Sequence, residues 1–84
     1  MKVTLKLYAS LTQHLPLERR THNFVELEVP EGSTVNQVVE PFNLPPKSVH
    51  LVLINGAFVP PGERDARALV EGDVLAIWPP IAGG

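Results

Sequence analysis

Residues 49–59, VHLVLINGAFV, decide the fold because they join a strand that is apolar on both faces to a tight reversal of the chain. In residues 49–54 both alternating sets of side chains are largely apolar, which is typical of a central strand covered on both sides. Asn55 and Gly56 follow, and both residues tolerate the positive φ that a two-residue hairpin turn requires. Residues 57–59 are therefore predicted to return as a short strand.

Alternating side chains predict three further strands. Residues 2–8 (KVTLKLY) and residues 24–29 (FVELEV) alternate apolar and polar positions, as half-buried strands do. Residues 74–78 (VLAIW) follow a Glu-Gly-Asp turn and are predicted to form the last strand. Between the first two strands, residues 9–15 are predicted to form a short helical turn and residues 17–23 a solvated loop.

One amphipathic helix is predicted between the second and third strands. Thr34 and Gln37 fit a capping box at its start. Apolar residues then recur at helical spacing, at Val35, Val38, Val39 and Phe42. Pro41 is unfavourable inside a helix, so we expect the helix to end near Glu40. The order of elements predicts an α+β fold in which one main helix packs on one face of a sheet.

Length and composition exclude several classes of function. With 84 residues the chain can form one domain with a thin core, which leaves little room for a deep active site of its own. The net charge of −2 argues against a nucleic-acid partner and against a membrane surface, since both favour a basic protein face. The absence of cysteine excludes disulfides, thiolate metal sites and cysteine nucleophiles.

Histidine spacing and hydropathy add further expectations. His14, His22 and His50 match no metal-binding motif, so we expect no metal site, and no constellation of catalytic side chains is evident. The longest apolar run, residues 74–78, is far too short to span a membrane, and the first residues lack the pattern of a secretory signal. We therefore expect a cytoplasmic protein.

The C-terminal segment is where chemistry is expected. It consists of Pro79, Pro80, Ile81, Ala82, Gly83 and Gly84. The two prolines hold the chain extended and away from the sheet, and six residues at about 3.3 Å each reach roughly 20 Å. Two glycines without side chains fit a narrow channel in a partner. A frayed chain end or a cloning remnant is the alternative that involves no function.

A terminal carboxylate at the end of such an extended segment has a pKa of about 3.5 and is ionised at neutral pH. Its oxygen can attack the α-phosphate of ATP held by another protein. The acyl-adenylate that results is a better acyl donor than a free carboxylate. Either a sulfur nucleophile or an amine could then displace AMP.

These residues resemble the small ubiquitin-like sulfur carriers, which include the molybdopterin-synthase small subunit (MoaD) and the thiamine-biosynthesis sulfur carrier (ThiS). The resemblance covers nearly the whole chain and rests on the opening strand and four motifs: residues 32–35 (GSTV), 52–56 (VLING), 72–73 (GD) and 79–84 (PPIAGG). The two prolines before the diglycine and the extra segment 9–15 are more similar to the molybdopterin branch.

The resemblance implies a β-grasp (ubiquitin-like) fold with a mixed sheet in residues 1–78, followed by an extended diglycine tail in residues 79–84. It also implies that an E1-like, ATP-dependent adenylyltransferase activates Gly84, which becomes a thiocarboxylate. In the molybdopterin branch the sulfur is then donated to a pterin precursor in the synthase large subunit. The chain would be a protein cosubstrate rather than an enzyme, with no bound cofactor and with ATP used by its activating partner.

The sequence leaves three alternatives open. Residues 17–23 and Pro41 are typical of neither branch, so the sulfur acceptor can belong to another pathway, such as thiamine synthesis or another thiolation. A ubiquitin-like modifier, whose Gly84 ends in an isopeptide bond to a lysine, needs the same tail and the same activation. A plain interaction domain with an incidental diglycine is the third alternative.

Strand register also predicts a docking face. If the other apolar positions of the first, third and last strands face the helix, four residues gather on the helix-free side next to the tail: Leu51, Leu53, Ala76 and Trp78. An exposed apolar patch usually marks a partner site, and Trp is enriched among binding hot spots. The resemblance implies the same, because these carriers dock through the sheet face beside the tail. Alternatively, Trp78 merely caps the edge of the core.

Overall fold

The computed structural model describes residues 1–80, in which five strands form one mixed sheet. The strands are β1 (Lys2–Leu7), β2 (Phe24–Glu28), β3 (Leu51–Ile54), β4 (Ala57–Phe58) and β5 (Val74–Trp78). Their order across the sheet is β2-β1-β5-β3-β4, with β1 parallel to β5 and all other neighbouring strands antiparallel. The predicted α+β class and the predicted order of elements are confirmed.

The third strand is shorter than the sequence predicted. β3 begins at Leu51 rather than at Val49 because a 3₁₀ turn, Pro46–Ser48, precedes it and uses Val49 as its C-terminal cap. Val49 donates its N–H to the carbonyl of Pro46 at 3.3 Å, so this group is used by the turn. His50, which the sequence placed inside the strand, is exposed just before it.

The single α-helix of residues 1–80, α1 (Val35–Val39), begins at the predicted capping box. The Thr34 hydroxyl accepts a hydrogen bond from the backbone N–H of Gln37 at 3.4 Å, and the Gln37 side chain accepts one from the N–H of Thr34 at 2.9 Å. The helix passes into a 3₁₀ turn, Glu40–Phe42, where Pro41 lacks an N–H to continue the ladder. Within the described part of the chain, no helix has the length and apolar character needed to cross a membrane.

The hairpin turn and the turn before β5 are tied together. Asn55 and Gly56 have φ values of 50° and 84°, so both adopt the left-handed conformation predicted for this hairpin. The Asn55 amide group donates to the Asp73 carboxylate at 2.9 Å, and its oxygen accepts from the N–H of Val74 at 2.9 Å. The start of β5 is therefore fixed beside the end of β3.

The core lies between the sheet and α1. The inward-facing strand residues are all at most 1% exposed: Val3, Leu5, Leu7, Val52, Ile54, Leu75 and Ile77. This confirms the predicted register of β1, β3 and β5. The connecting segments complete the core with Leu11, Leu15, Val59 and Leu69. The first two belong to the segment after β1, where a 3₁₀ turn, Ala9–His14, forms the predicted helical turn. Further 3₁₀ turns span Leu17–Arg19 and Pro61–Glu63.

Candidate partner-binding face

The four residues predicted to form the docking face lie together on the helix-free side of the sheet. Leu51 of β3 lies opposite Trp78 of β5, and Leu53 lies opposite Ala76. Leu51, Leu53 and Trp78 are partly exposed, whereas Ala76 is only 7% exposed. Ala76 therefore offers little contact area of its own, because longer side chains, Lys6 and Leu53, flank it on the adjacent strands. The role of this face in binding stays a prediction.

Tyr8 belongs to this face, although the sequence analysis did not select it. Its ring stacks on Trp78 with centroids 3.9 Å apart and ring planes within 7° of parallel. The pairing of Leu7 with Ile77 brings the next residues of the two parallel strands together, and the Tyr8 N–H donates to the Ile77 carbonyl at 3.2 Å. The contact between Tyr8 and Trp78 could have been predicted only if the pairing register of β1 with β5 had been known. The stack gives the face a flat aromatic surface at the point where β5 ends.

The face continues as one row across the sheet. The row consists of Phe24, Lys6, Ala76, Leu53 and Phe58, which are neighbours on successive strands. Phe58 is 55% exposed at the β4 edge and enlarges the apolar area. Two cations lie near the other end: Lys6 is the second residue of the row, and the Arg19 guanidinium lies 4.7 Å from the centre of the Phe24 ring. A partner that combines apolar and acidic side chains would complement this surface.

The tail leaves the sheet directly beside the aromatic stack. The Trp78 carbonyl accepts a hydrogen bond from the N–H of His50 at 3.2 Å, which anchors the end of β5. Pro79 is half-buried and Pro80 is exposed. The remaining tail residues of the prediction, Ile81, Ala82, Gly83 and Gly84, lie outside the described residues.

A buried arginine fixes the backbone beside that exit. Arg64 is 7% exposed and donates to the carbonyls of Val49 at 3.2 Å, His50 at 3.1 Å and Val59 at 3.4 Å. Burial lowers the pKa of Arg64 from its usual value by desolvation, but a guanidinium remains protonated at neutral pH. Because His50 in turn holds Trp78, Arg64 braces the segment from which the tail departs. This role of Arg64 was not predicted, because an arginine between predicted strands carries no local signal for such contacts.

Residues 1–80 show no group of three or more His, Asp or Glu side chains arranged to hold a metal ion. His22 packs edge-on against Phe24, with ring centroids 6.4 Å apart.

The ThiS family model matches residues 15–84. The chain belongs to the ThiS family. The resemblance to ubiquitin-like sulfur carriers that the sequence indicated is thereby confirmed. A search of curated proteins found no match to this ThiS-family chain.

Solved structures share its fold. SAMP1 from Haloferax volcanii is 24% identical over 100% of both chains, with a TM-score of 0.68. A Pyrococcus furiosus protein described as molybdopterin converting factor subunit 1 is 22% identical over 96% of this chain and 99% of that one, with a TM-score of 0.67. The Haloferax volcanii HVO 2177 protein is 23% identical over 100% of this chain and 87% of its own, with a TM-score of 0.72. These similarities confirm the β-grasp fold, a mixed sheet with one main helix.

Proposed function

We propose that this ThiS-family protein is a sulfur carrier in molybdopterin biosynthesis, whose C-terminal Gly84 is adenylated by an E1-like enzyme and converted to a thiocarboxylate. The observation that carries the proposal is that the family match extends through residue 84 and so includes the diglycine. If the chain were an unrelated interaction domain with an incidental diglycine, a match to the family model through residue 84 would not be expected.

The proposed chemistry needs only the terminal carboxylate of this chain. A carboxylate oxygen of Gly84 attacks the α-phosphorus of ATP on the activating enzyme, and pyrophosphate leaves. A hydrosulfide ion supplied by a partner then attacks the carbonyl carbon, and AMP leaves, which gives the free thiocarboxylate directly. The thiocarboxylate product is the sulfur donor. The chain acts as a cosubstrate, and the partners contribute the ATP site and the catalytic groups.

The fold supports this role by fixing where the tail begins. The backbone of β5 is held up to its last carbonyl, at Trp78, and two prolines then favour an extended direction. Holding a reacting group at a fixed distance from a docking surface lowers the entropic cost of reaction in the complex. We propose that the face around Tyr8 and Trp78 docks first on the E1-like adenylyltransferase and later on the synthase large subunit, in the cytoplasm.

Two observations favour the molybdopterin branch. The prolines at 79 and 80 and the 3₁₀ segment after β1 resemble that branch, and the Pyrococcus furiosus neighbour is described as molybdopterin converting factor subunit 1. Thiamine synthesis or another thiolation pathway is the alternative for the final acceptor. A modifier role is the second candidate function, because a second solved structure of the Haloferax volcanii neighbour SAMP1 describes it as small archaeal modifier protein 1.

Intact mass spectrometry of the protein from its native cells tests the proposal. A mass gain equal to replacing one oxygen by sulfur is expected for the thiocarboxylate. Recovery of the chain attached to lysines of other proteins would instead favour the modifier. A chain lacking Gly84 is the matched control, since it should fold normally yet show neither product. Full activation of that shortened chain would overturn the carrier proposal.

A further inference from the structure

The strand at one edge of the sheet borders an apolar groove on the helix side. The groove has a volume of about 640 Å³ and runs between β2 with the turn that follows it and the segment from α1 to Phe42. Its apolar lining consists of Leu27, Val29, Pro30, Val38, Pro41 and Phe42. Its charged lining residues in the described part of the chain are Glu28 and Glu31, and no basic residue lines it.

The backbone of β2 leaves hydrogen-bonding groups free along this groove. Val29 exchanges hydrogen bonds with Met1 at 2.9 and 2.7 Å, and Asn23 accepts from Leu7 at 2.9 Å. The backbone N–H and C=O groups of successive residues point to opposite sides of an antiparallel strand, so those of the odd-numbered residues of β2 point toward β1. The N–H and C=O groups of Glu26 and Glu28 therefore point away from the sheet, toward the open edge.

Within residues 1–80, the opposite edge of the sheet is less suited to strand pairing. β4 is only two residues long, and Pro60 and Pro61 follow soon after it, which are features that protect an edge from pairing. β2 is five residues long and contains no proline. A strand that pairs with β2 could form ladder hydrogen bonds and place every second side chain in the groove.

The charged side chains on the helix-free face of β2 indicate which kind of segment could bind at this edge. The Glu26 and Glu28 side chains lie on the helix-free face and are exposed. A second copy of β2 would bring like charges together, which is unfavourable across strands. Glu28 already has the N-terminal ammonium 3.5 Å away and Lys2 opposite it, whereas Glu26 faces Thr4. Glu26 is thus the carboxylate more available to a cation on an added strand.

We propose that the β2 edge binds an extended peptide segment of a partner protein in which apolar residues alternate with Lys or Arg. The apolar side chains enter the groove beside Val38 and Phe42, and the basic side chains pair with Glu26 and, more weakly, with Glu28. β1 separates this edge from β5, so the peptide leaves the face around Trp78 free. The inference goes beyond the proposed function and does not depend on Gly84.

A titration of the full-length protein with labelled heptapeptides tests this site. The probes are an alternating Lys/Val peptide, an alternating Glu/Val peptide and a scrambled Lys/Val peptide, followed by fluorescence anisotropy and by amide chemical shifts. The alternating basic peptide should bind most tightly, shift the amides of residues 24–31 and 37–42, and lose affinity when alternate backbone nitrogens are methylated.

Charge-reversal variants distinguish binding at this site from nonspecific electrostatic attraction of the peptide to the protein. Glu26→Lys should weaken the basic peptide about fivefold, and Glu28→Lys should weaken it less. Glu63→Lys, an equal charge change at an exposed turn beyond β4, should leave affinity unchanged. Equal losses in all three variants, equal binding of the scrambled peptide, or shifts confined to the face around Trp78 would each overturn the proposal. Deletion of Gly84 should not alter peptide binding, so this test is distinct from that of the carrier function.

Discussion

Both faces of the β3–β5 pair are apolar, yet only the face toward the helix is fully buried. On the helix side, Val52 and Ile54 are at most 1% exposed. On the other side, their neighbours Leu51 and Leu53 remain partly exposed beside Trp78. Hydrophobicity therefore does not by itself decide burial in this sheet. The side chains that the helix and loops cover form the core, and those left open form a surface suited to a partner.

The largest expected contrast between the faces comes from one pair of adjacent residues. Ile54→Ala removes a buried side chain and should lower the free energy of unfolding by about 2–5 kcal/mol. Leu53→Ala, on the open face, should cost less than about half of that, because its side chain is already partly hydrated. Urea denaturation of both variants measures the difference. Equal losses would contradict the assignment of the two faces.

The brace at the tail exit should be the next most sensitive feature. Arg64→Met keeps much of the side-chain volume but leaves three backbone carbonyls without this donor. We expect the free energy of unfolding to fall by about 2–3 kcal/mol, since hydrogen bonds to charged groups are among the stronger ones. Amide exchange at His50 should also accelerate, because its N–H bonds to Trp78.

Arg64→Lys is the matched variant for this prediction. It keeps the charge but loses the planar fork, so it should recover only part of the lost stability. Unchanged stability and unchanged exchange at His50 in Arg64→Met would show that the guanidinium does not brace this segment.

Trp78→Ala should separate binding from stability on the open face. Binding to the proposed E1-like enzyme or the proposed synthase partner should weaken by at least about 2 kcal/mol, the range of a hot spot, while thermal stability falls much less. Tyr8→Ala removes the stacking partner and should have a smaller effect, about 0.5–1.5 kcal/mol. Isothermal titration calorimetry measures both effects.

The control for Trp78 is Val70→Ala. Val70 is 62% exposed and precedes the opposite end of β5, so its truncation should affect neither binding nor stability appreciably. If Trp78→Ala unfolds readily but binds normally once folded, then Trp78 belongs to the core and the open face is not the docking surface.

The smallest expected effect concerns α1, which covers the buried face of the sheet. Thr34→Ala breaks the capping box of α1 and should cost about 1 kcal/mol of stability, as measured by urea denaturation. Thr34→Ser retains the capping oxygen and should be nearly neutral. A loss of the same size in both variants would mean that the methyl group, rather than the cap, matters.

Local signals in the sequence predicted most of the fold. Strand parity separated Leu53 from Ile54, because successive side chains of a strand point to opposite faces. The capping box at Thr34 and the hairpin at Asn55 were predictable because their hydrogen bonds and backbone angles involve residues close in the chain. The same parity argument brought the four proposed face residues together, although it could not show that Ala76 would be nearly covered.

The features that sequence reasoning missed all depend on contacts between distant residues. Tyr8 stacks on Trp78 only because β1 and β5 pair in one parallel register. Arg64 reaches carbonyls in two other segments, and the groove beside β2 exists only because β2 lies at an edge of the sheet. No pattern within a short window of sequence encodes such pairings.

The sequence by itself determined the strands, the helix start, the hairpin and the membership of a carrier family, because those depend on side-chain alternation, local turn chemistry and a distinctive chain ending. Tertiary structure alone decided which strands became neighbours and hence what surrounds Trp78, what holds His50 and which edge stays open. The physical reason is that strand pairing and packing depend on residues far apart in the chain, whose contacts exist only after the whole sheet has assembled.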